Sequence, residues 1–272
     1  MPSEITPKYL QEEETLPQEL KNIISTLPKE KGWLASHLYR YQGFWYPARH
    51  LGGVINCQNL FQPNETDVFL STTPKSGTTW LKALVFTLTN RKTHPIAKNH
   101  PLLFSTHLPF NSLPEPIKQS PGCKVVYLCR NPKDIFVSLW HFTNSLKPQE
   151  AKTNSIEDVF DMFCRGVSLF GPLWDHVLEY WKQRGLAVFL GCPFSEGEEE
   201  SGLADEILRL CSFDNLRALD INKNGKLSSG EENKAFFRRG VVGDWKNYLS
   251  AEMVEKIDGI TKDKFGGSGL IV

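Results

Sequence analysis

No apolar run in this 272-residue chain approaches the roughly 18 residues that a membrane-spanning helix requires. The stretch from Met1 to Lys21 is polar and acidic, without the apolar centre that marks a secretory leader. Charge of neither sign predominates: Lys plus Arg and Asp plus Glu each total 31, for a formal net charge of zero. That balance argues against broad adhesion to nucleic acid or to a membrane, so any anion site must be a local cluster. The six cysteines (Cys57, Cys123, Cys129, Cys164, Cys192 and Cys211) include no Cys-x-x-Cys pair, which points to reduced thiols rather than a disulfide frame or zinc knot. No cluster of His, Cys and carboxylate stands at metal-ligand spacing, and no metal is expected. Asn64-Glu65-Thr66 matches a glycosylation acceptor, but without secretion it is only a turn. No repeat or low-complexity segment breaks the chain. A length of 272 residues favours one large domain over two, with the cytoplasm as the expected compartment.

What the chain does contain is Pro74-Lys75-Ser76-Gly77-Thr78-Thr79-Trp80. The apolar run from Asp67 to Thr72 before it reads as a buried strand. Leu81 to Leu88 after it has apolar residues three and four apart, the period of a helix. Strand, small-residue turn and helix together aim backbone N–H groups and the positive end of a helix dipole at an anion. Gly77 permits close backbone approach, Ser76, Thr78 and Thr79 add hydroxyls, and Lys75 adds a full charge. The turn is a phosphate or sulfate binder. It is not the nucleotide-triphosphatase loop, which needs a Lys directly after a second glycine.

A second strand–turn–helix unit runs from Lys124 through Cys129, turns at Arg130-Asn131-Pro132 and enters a helix near Lys133. The short run Leu102 to His107 reads as a strand ending at His107, after a loop from Arg91 to Leu103 that carries His94, Pro95 and His100. Helical periodicity covers Ile156 to Val167, Leu173 to Gln183, Leu203 to Cys211 and Glu252 to Lys264. Leu27 to Trp33 reads as a turn and Asp220 to Glu232 as a polar loop. This alternation argues for a parallel sheet covered by helices on both faces. Tyr39, Tyr41, Phe44, Trp45 and Tyr46 form an aromatic cluster, which serves core packing more often than it walls an apolar pocket.

The phosphate turn resembles the 5′-phosphosulfate signature of cytosolic sulfotransferases, and its surroundings resemble the plant members. Three further blocks follow in the family's order: Thr106 to Phe110, Tyr127 to Asp134 with Ser138, and Phe236 to Gly240 with Gly243 to Asn247. The resemblance extends from about Leu27 to the C-terminus. It implies a lead-in over 1–26 and a sulfotransferase domain over 27–272, folded as a three-layer α/β sandwich of the P-loop-like nucleotide-binding type. The implied co-substrate is 3′-phosphoadenosine 5′-phosphosulfate (PAPS), and the implied partner is a small, largely apolar hydroxyl acceptor. A partial match of Lys246 to Glu255 to the family's dimer segment leaves the chain a monomer or weak homodimer.

By the same resemblance, Lys75, Ser76, Gly77, Thr78 and Thr79 hold the 5′-phosphosulfate, and Lys75 neutralises the bridging oxygen. Trp80 stacks on adenine, with Cys211 and Phe213 lining the base pocket. Arg130, Ser138, Arg238, Arg239 and Gly240 clamp the 3′-phosphate, for which the planar guanidinium fork is well shaped. His107 is the general base, since imidazole accepts a proton near neutrality. Phe110 and Phe142 face the acceptor, with Trp140 and His141 as further pocket candidates, and Phe44 and Trp45 tilt toward the same pocket. The sequence departs from the family in several places. Arg239 stands where relatives have Lys, and Ser105 where some have Lys. One gap falls between His100 and Thr106. In another, Gln183-Arg184-Gly185 runs straight into Leu186 to Leu190, and a strand ending Tyr-Glu-Glu-Leu is missing.

Two competing expectations follow. Loss of a strand from a parallel sheet leaves unpaired backbone groups, each costing on the order of 1–3 kcal/mol when buried, so the chain reads alternatively as an impaired relative that at most binds donor nucleotide. Separately, Asp220 to Glu231 fits the calcium-loop template Asp-x-Asn-x-Asn-Gly with Glu at the twelfth place.

Overall fold

The computed structural model describes residues 16–91, 102–148, 150–183 and 195–270. Outside these lie most of the expected lead-in, the loop carrying His94, Pro95 and His100, and the run Leu186 to Leu190. The chain opens with α1 (Gln18–Ile24) and a small antiparallel sheet of β1 (Lys29–Lys31), β2 (His37–Tyr41) and β3 (Phe44–Tyr46). Then follow α2 (Ala48–Leu60), β4 (Val68–Thr72), α3 (Thr78–Asn90), β5 (Leu103–Thr106), α4 (Glu115–Gln119), β6 (Lys124–Leu128) and α5 (Pro132–Ser145). The C-terminal half is helical: α6 (Ile156–Cys164), α7 (Leu173–Lys182), α8 (Glu196–Glu200), α9 (Leu203–Leu210), α10 (Phe213–Ala218), α11 (Asp220–Asn224) and α12 (Ala251–Phe265).

Among the described residues the second sheet is parallel, in the order β5-β4-β6. All five residues of β4 are buried, and their alternation builds the layers. Val68 and Leu70 pack with Leu81 and Val85 of α3 on one face. Phe69 points to the other, into the cluster that holds Leu51 and Val54 of α2 and Tyr46 of β3. Helices therefore cover both faces of a parallel sheet, the α/β sandwich expected from the alternation. A second core joins α5, α6, α7 and α12 around Phe136, Phe163, Trp174 and Ile257.

Four local readings change. The Lys29–Lys31 stretch, expected as a turn, pairs with β2 because Lys29 meets Tyr39 in register. Helix α1 buries Leu20 and Ile24 against the β2–β3 side, so packing begins before residue 27. Every residue of β6 is only half-buried, where a fully buried strand is expected; among the described residues it pairs with β4 alone. The polar loop at Asp220 begins instead as α11, followed by a bridge between Lys226 and Glu232. The aromatic cluster resolves toward packing: Tyr39, Phe44, Trp45 and Tyr46 are all buried within the two large cores.

Candidate active site

The site gathers at the C-terminal ends of β4, β5 and β6. Leaving β4, the chain turns through Lys75 at φ +68° and Gly77 at φ +106° before entering α3. The left-handed conformation at Gly77, which caps α3, suits glycine because it lacks a Cβ. Left-handed residues in a turn bring successive N–H groups into a concavity that favours anions, and here the N-terminus of α3 adds its dipole. Ser76 is buried and its hydroxyl meets that of Thr73. Thr78 Oγ1 meets Thr72 Oγ1 at 2.6 Å.

Lys75 lies with its Nζ 4.1 Å from the ring centre of Phe142 and 5.4 Å from that of Phe236. Burial, followed by repulsion from Arg238 and Arg130, lowers its pKa to about 7. Three cations thus converge on one place.

His107 follows β5. Its Nδ1 stands 2.8 Å from the backbone oxygen of Thr72 and 3.2 Å from Thr72 Oγ1. A carbonyl oxygen can only accept, so Nδ1 carries the proton and Nε2 keeps its lone pair. Burial lowers the His107 pKa; the bond to Thr72 opposes this, and Lys75 and Lys82 add to it. Neutral imidazole with a bare Nε2 is the form a general base requires.

The arginines gather around two buried carboxylates. Asp244 accepts from Arg239 Nη1 at 2.6 Å and pairs with Arg238 Nη2 at 2.5 Å, while Asn247 donates to the same carboxylate at 3.0 Å. Burial alone would raise the pKa of Asp244; the bonds from Arg239, Arg238 and Asn247 outweigh it and hold the carboxyl at about 2. Asp134, on α5, accepts from the Gly243 N–H at 2.9 Å and pairs with Arg130 at 3.4 Å. Arg130 also donates to the Val241 carbonyl at 2.7 Å. Arg238 Nε is buried and has no hydrogen-bond partner among the described residues. Gly240 turns at φ +68°, and a Cβ there would sit 2.4 Å from the Phe213 ring. That close approach joins the Arg238–Arg239 segment to α10 and leaves no room for a side chain.

The remaining sequence candidates occupy three places. Ser138 lies on α5, which follows Arg130 and is capped by Asn131 accepting from the Lys133 N–H at 3.0 Å. Trp80 is 37% exposed on α3, and Cys211 is buried with its sulfur 3.6 Å from Thr87 Oγ1 on the same helix. Phe142 lies beneath Lys75, whereas Phe110 packs edge-on against Tyr180 at 5.6 Å. Sequence reasoning missed Thr72, Asp134 and Phe236 as parts of the site. Asp134 and Phe236 stand in recognised blocks, but nothing local gives either a role in the site: Asp134 accepts from the Gly243 N–H, Phe236 flanks Lys75, and Thr72 acts through its backbone carbonyl. Asp244 did stand within a recognised block, but only the fold pairs it with both arginines.

The calcium template does not assemble. Asp220 accepts from Asn224 Nδ2 at 2.7 Å, Asn222 donates to the Leu216 carbonyl at 2.7 Å, and Glu231 engages Ser229 and faces Arg49. Its first five positions are wound into α11, where Asp220 and Asn224 bond each other, and Glu231 is taken up by Ser229.

A family model described as the sulfotransferase domain matches residues 65–98, 89–187 and 184–269. The chain belongs to the sulfotransferase family. Relatives from Arabidopsis thaliana place it with the plant cytosolic type: Cytosolic sulfotransferase 5 is 44% identical, covering 94% of this chain and 97% of that protein. Cytosolic sulfotransferase 13 is 42% identical, covering 98% and 97%. A mouse sulfotransferase solved in complex with PAP shares the fold, with a TM-score of 0.69 at 24% identity over 85% of this chain and 96% of that one. The match to the first relative runs over 315 positions, more than the 272 residues of this chain, so the relative carries segments without counterpart here. The matched pieces meet at 184–187, where the second gap is expected, and at 89–98, ahead of the first, which is expected between His100 and Thr106. Sulfotransferases of this family are PAPS-dependent enzymes. Among the described residues, no helix is long and apolar enough to cross a membrane.

Proposed function

We propose that this chain transfers the sulfuryl group of PAPS to the hydroxyl of a small, largely apolar acceptor, with His107 as general base. One observation carries the reading. Thr72 holds the His107 ring through its carbonyl and meets Thr78 of the anion turn through its hydroxyl. The base and the anion turn are thereby fixed to one residue, which is the geometry a two-substrate transfer needs.

The donor set fits a nucleotide phosphorylated at both ends. Lys75, Ser76, Gly77, Thr78 and Thr79 bind the 5′-phosphosulfate, and Arg130, Ser138, Arg238, Arg239 and Gly240 the 3′-phosphate. Arg238 Nε, which has no acceptor among the described residues, supports the second station, since a buried guanidinium N–H without an acceptor is costly. Trp80, Cys211 and Phe213 line the base pocket, while Phe110 and Phe142 border the acceptor. PAPS supplies an activated sulfur whose bond to the 5′-phosphate oxygen can break. His107 Nε2 takes the acceptor's hydroxyl proton as the new oxygen–sulfur bond forms. Lys75 then neutralises the charge left on the 5′-phosphate, so the product nucleotide leaves as 3′,5′-adenosine bisphosphate (PAP). The acting unit is the domain over 27–272, together with α1, as a cytoplasmic monomer or weak homodimer that needs neither metal, nucleic acid nor membrane.

The test is turnover of PAPS with a panel of phenols and apolar alcohols, using wild type and His107→Ala. The variant is expected to lose at least about 100-fold in kcat while keeping its thermal shift with PAP. Equal turnover by both forms refutes the base. A second reading, donor binding without turnover, draws on the half-buried β6 and on the relatives' longer chains. A PAP shift of about 2.7 kcal/mol at 100 Kd with no product from any acceptor would favour it.

A further inference from the structure

The peptide between His107 and Leu108 is gripped from α7. His176 Nε2 stands 3.0 Å from the His107 carbonyl oxygen, and Tyr180 Oη donates to the Leu108 carbonyl at 2.8 Å. His176 and Tyr180 lie one helical turn apart, so a single face of α7 reaches two consecutive carbonyls. The proton inventory of His176 is closed. The His107 carbonyl can only accept, which puts the proton on Nε2, and Nδ1 then accepts from the Tyr127 hydroxyl at 3.0 Å. The ring has no room to turn: it is fully buried, stacked on Tyr127 at 5.7 Å and Tyr180 at 5.6 Å, with Phe44 edge-on at 6.0 Å. Helix α7 is itself anchored, through Trp174 Nε1 donating to Thr261 Oγ1 of α12 at 2.9 Å.

We infer that His176 is a positioning residue for His107: a buried imidazole, its tautomer set by the Tyr127 hydroxyl, that fixes the backbone from which the base projects. The inference rests on the reading of His107 as base. The two ends of His107 are then held by different elements, with the Nδ1–H on Thr72 of β4 and the carbonyl on α7. Removing the α7 hold frees the imidazole to drift from the bare-Nε2 orientation without touching the anion turn. Burial, the dominant cause, keeps the His176 pKa at about 4, so the hold persists through neutral pH. The titratable groups facing His107 are His176, His50, Lys75 and Lys82.

The experiment compares wild type, His176→Leu, His176→Gln and His107→Ala. In His176→Leu, kcat is expected to fall on the order of tenfold to 100-fold, with the PAPS KM and the PAP thermal shift retained and the low-pH limb of kcat displaced. His176→Gln, whose amide can donate to the carbonyl and accept from Tyr127, is expected to recover most of the loss. A His176→Leu enzyme with unchanged kcat and pH profile, beside a dead His107→Ala, overturns the inference alone. A Gln variant that fails as badly as Leu and also loses the PAP shift overturns it in favour of simple packing. Full activity in His107→Ala overturns the base reading and the inference with it. Imidazole nitrogen NMR decides independently of turnover: His176 should stay neutral and Nε2-protonated down to pH 5, and the His107 signals should move in His176→Leu. A His176 that titrates at an ordinary 6.5, or His107 signals identical in the two proteins, refutes it.

Discussion

Lys75 offers the sharpest test, because its perturbation is pH alone. Its ordinary pKa of 10.5 is lowered to about 7 by burial and by Arg238 and Arg130. The unfolded chain therefore holds more protons than the folded one between pH 7 and 10.5, and this residue makes the free protein more stable as pH rises through that window. Binding of PAP reverses the balance, since phosphate charge beside the ammonium returns its pKa toward the ordinary value. At pH 8 about nine in ten free molecules carry neutral Lys75, so binding should take up about 0.9 of a proton. Apparent affinity should fall about fivefold from pH 7 to 8 and about tenfold more from 8 to 9 if the charged form is required. The window lies above the second ionisation of a phosphate, near 6, and His107 is displaced below the ordinary imidazole range. Calorimetric titration of PAP in buffers of different ionisation enthalpy measures the uptake directly. Lys75→Met should abolish it and flatten the profile. Wild-type binding with no proton uptake at pH 8 and constant affinity from pH 7 to 9 would mean that Lys75 is already charged, and the electrostatic account of the turn would fail.

Three further outcomes are expected. Asp244→Asn should lower stability by about 1–3 kcal/mol in denaturant titration, because a neutral amide no longer offsets two guanidiniums, and should weaken the PAP shift, because Arg238 and Arg239 lose the acceptor that positions them; the wild-type contribution is present above about pH 4 and disappears as pH falls through about 2. An Asn variant that melts and binds like wild type would show that the brace is idle. Gly240→Ala should cost about 1–3 kcal/mol, measured by melting, since the residue sits at φ +68° and its new methyl meets the Phe213 ring; an unchanged melting temperature would refute the close approach. Millimolar calcium should leave the melt of wild type and Glu231→Ala alike, and a rise confined to wild type would restore the calcium reading.

How much of this was legible in advance differs element by element. The strand from Val68, the turn at Lys75 and the helix from Thr78 follow from patterns within about twenty residues: a short apolar run, a glycine among small hydroxyl residues, and a 3.6-residue period. Such features are local, so a linear reading captures them, and four blocks in one order suffice for the family. The sequence did not reveal what depends on residues far apart. Thr72 reaching His107, Asp244 between two arginines and His176 at the His107 carbonyl are contacts whose partners the fold alone brings together. Burial behaves in the same way. A run as apolar as Lys124 to Leu128 predicts a buried strand, yet how deeply β6 sits depends on what packs beside it. By itself, then, the sequence determined which residues are suited to bind anions and move a proton. The tertiary structure decided which charge states those residues hold, because pKa and tautomer are set by burial and by neighbours that the linear chain does not specify.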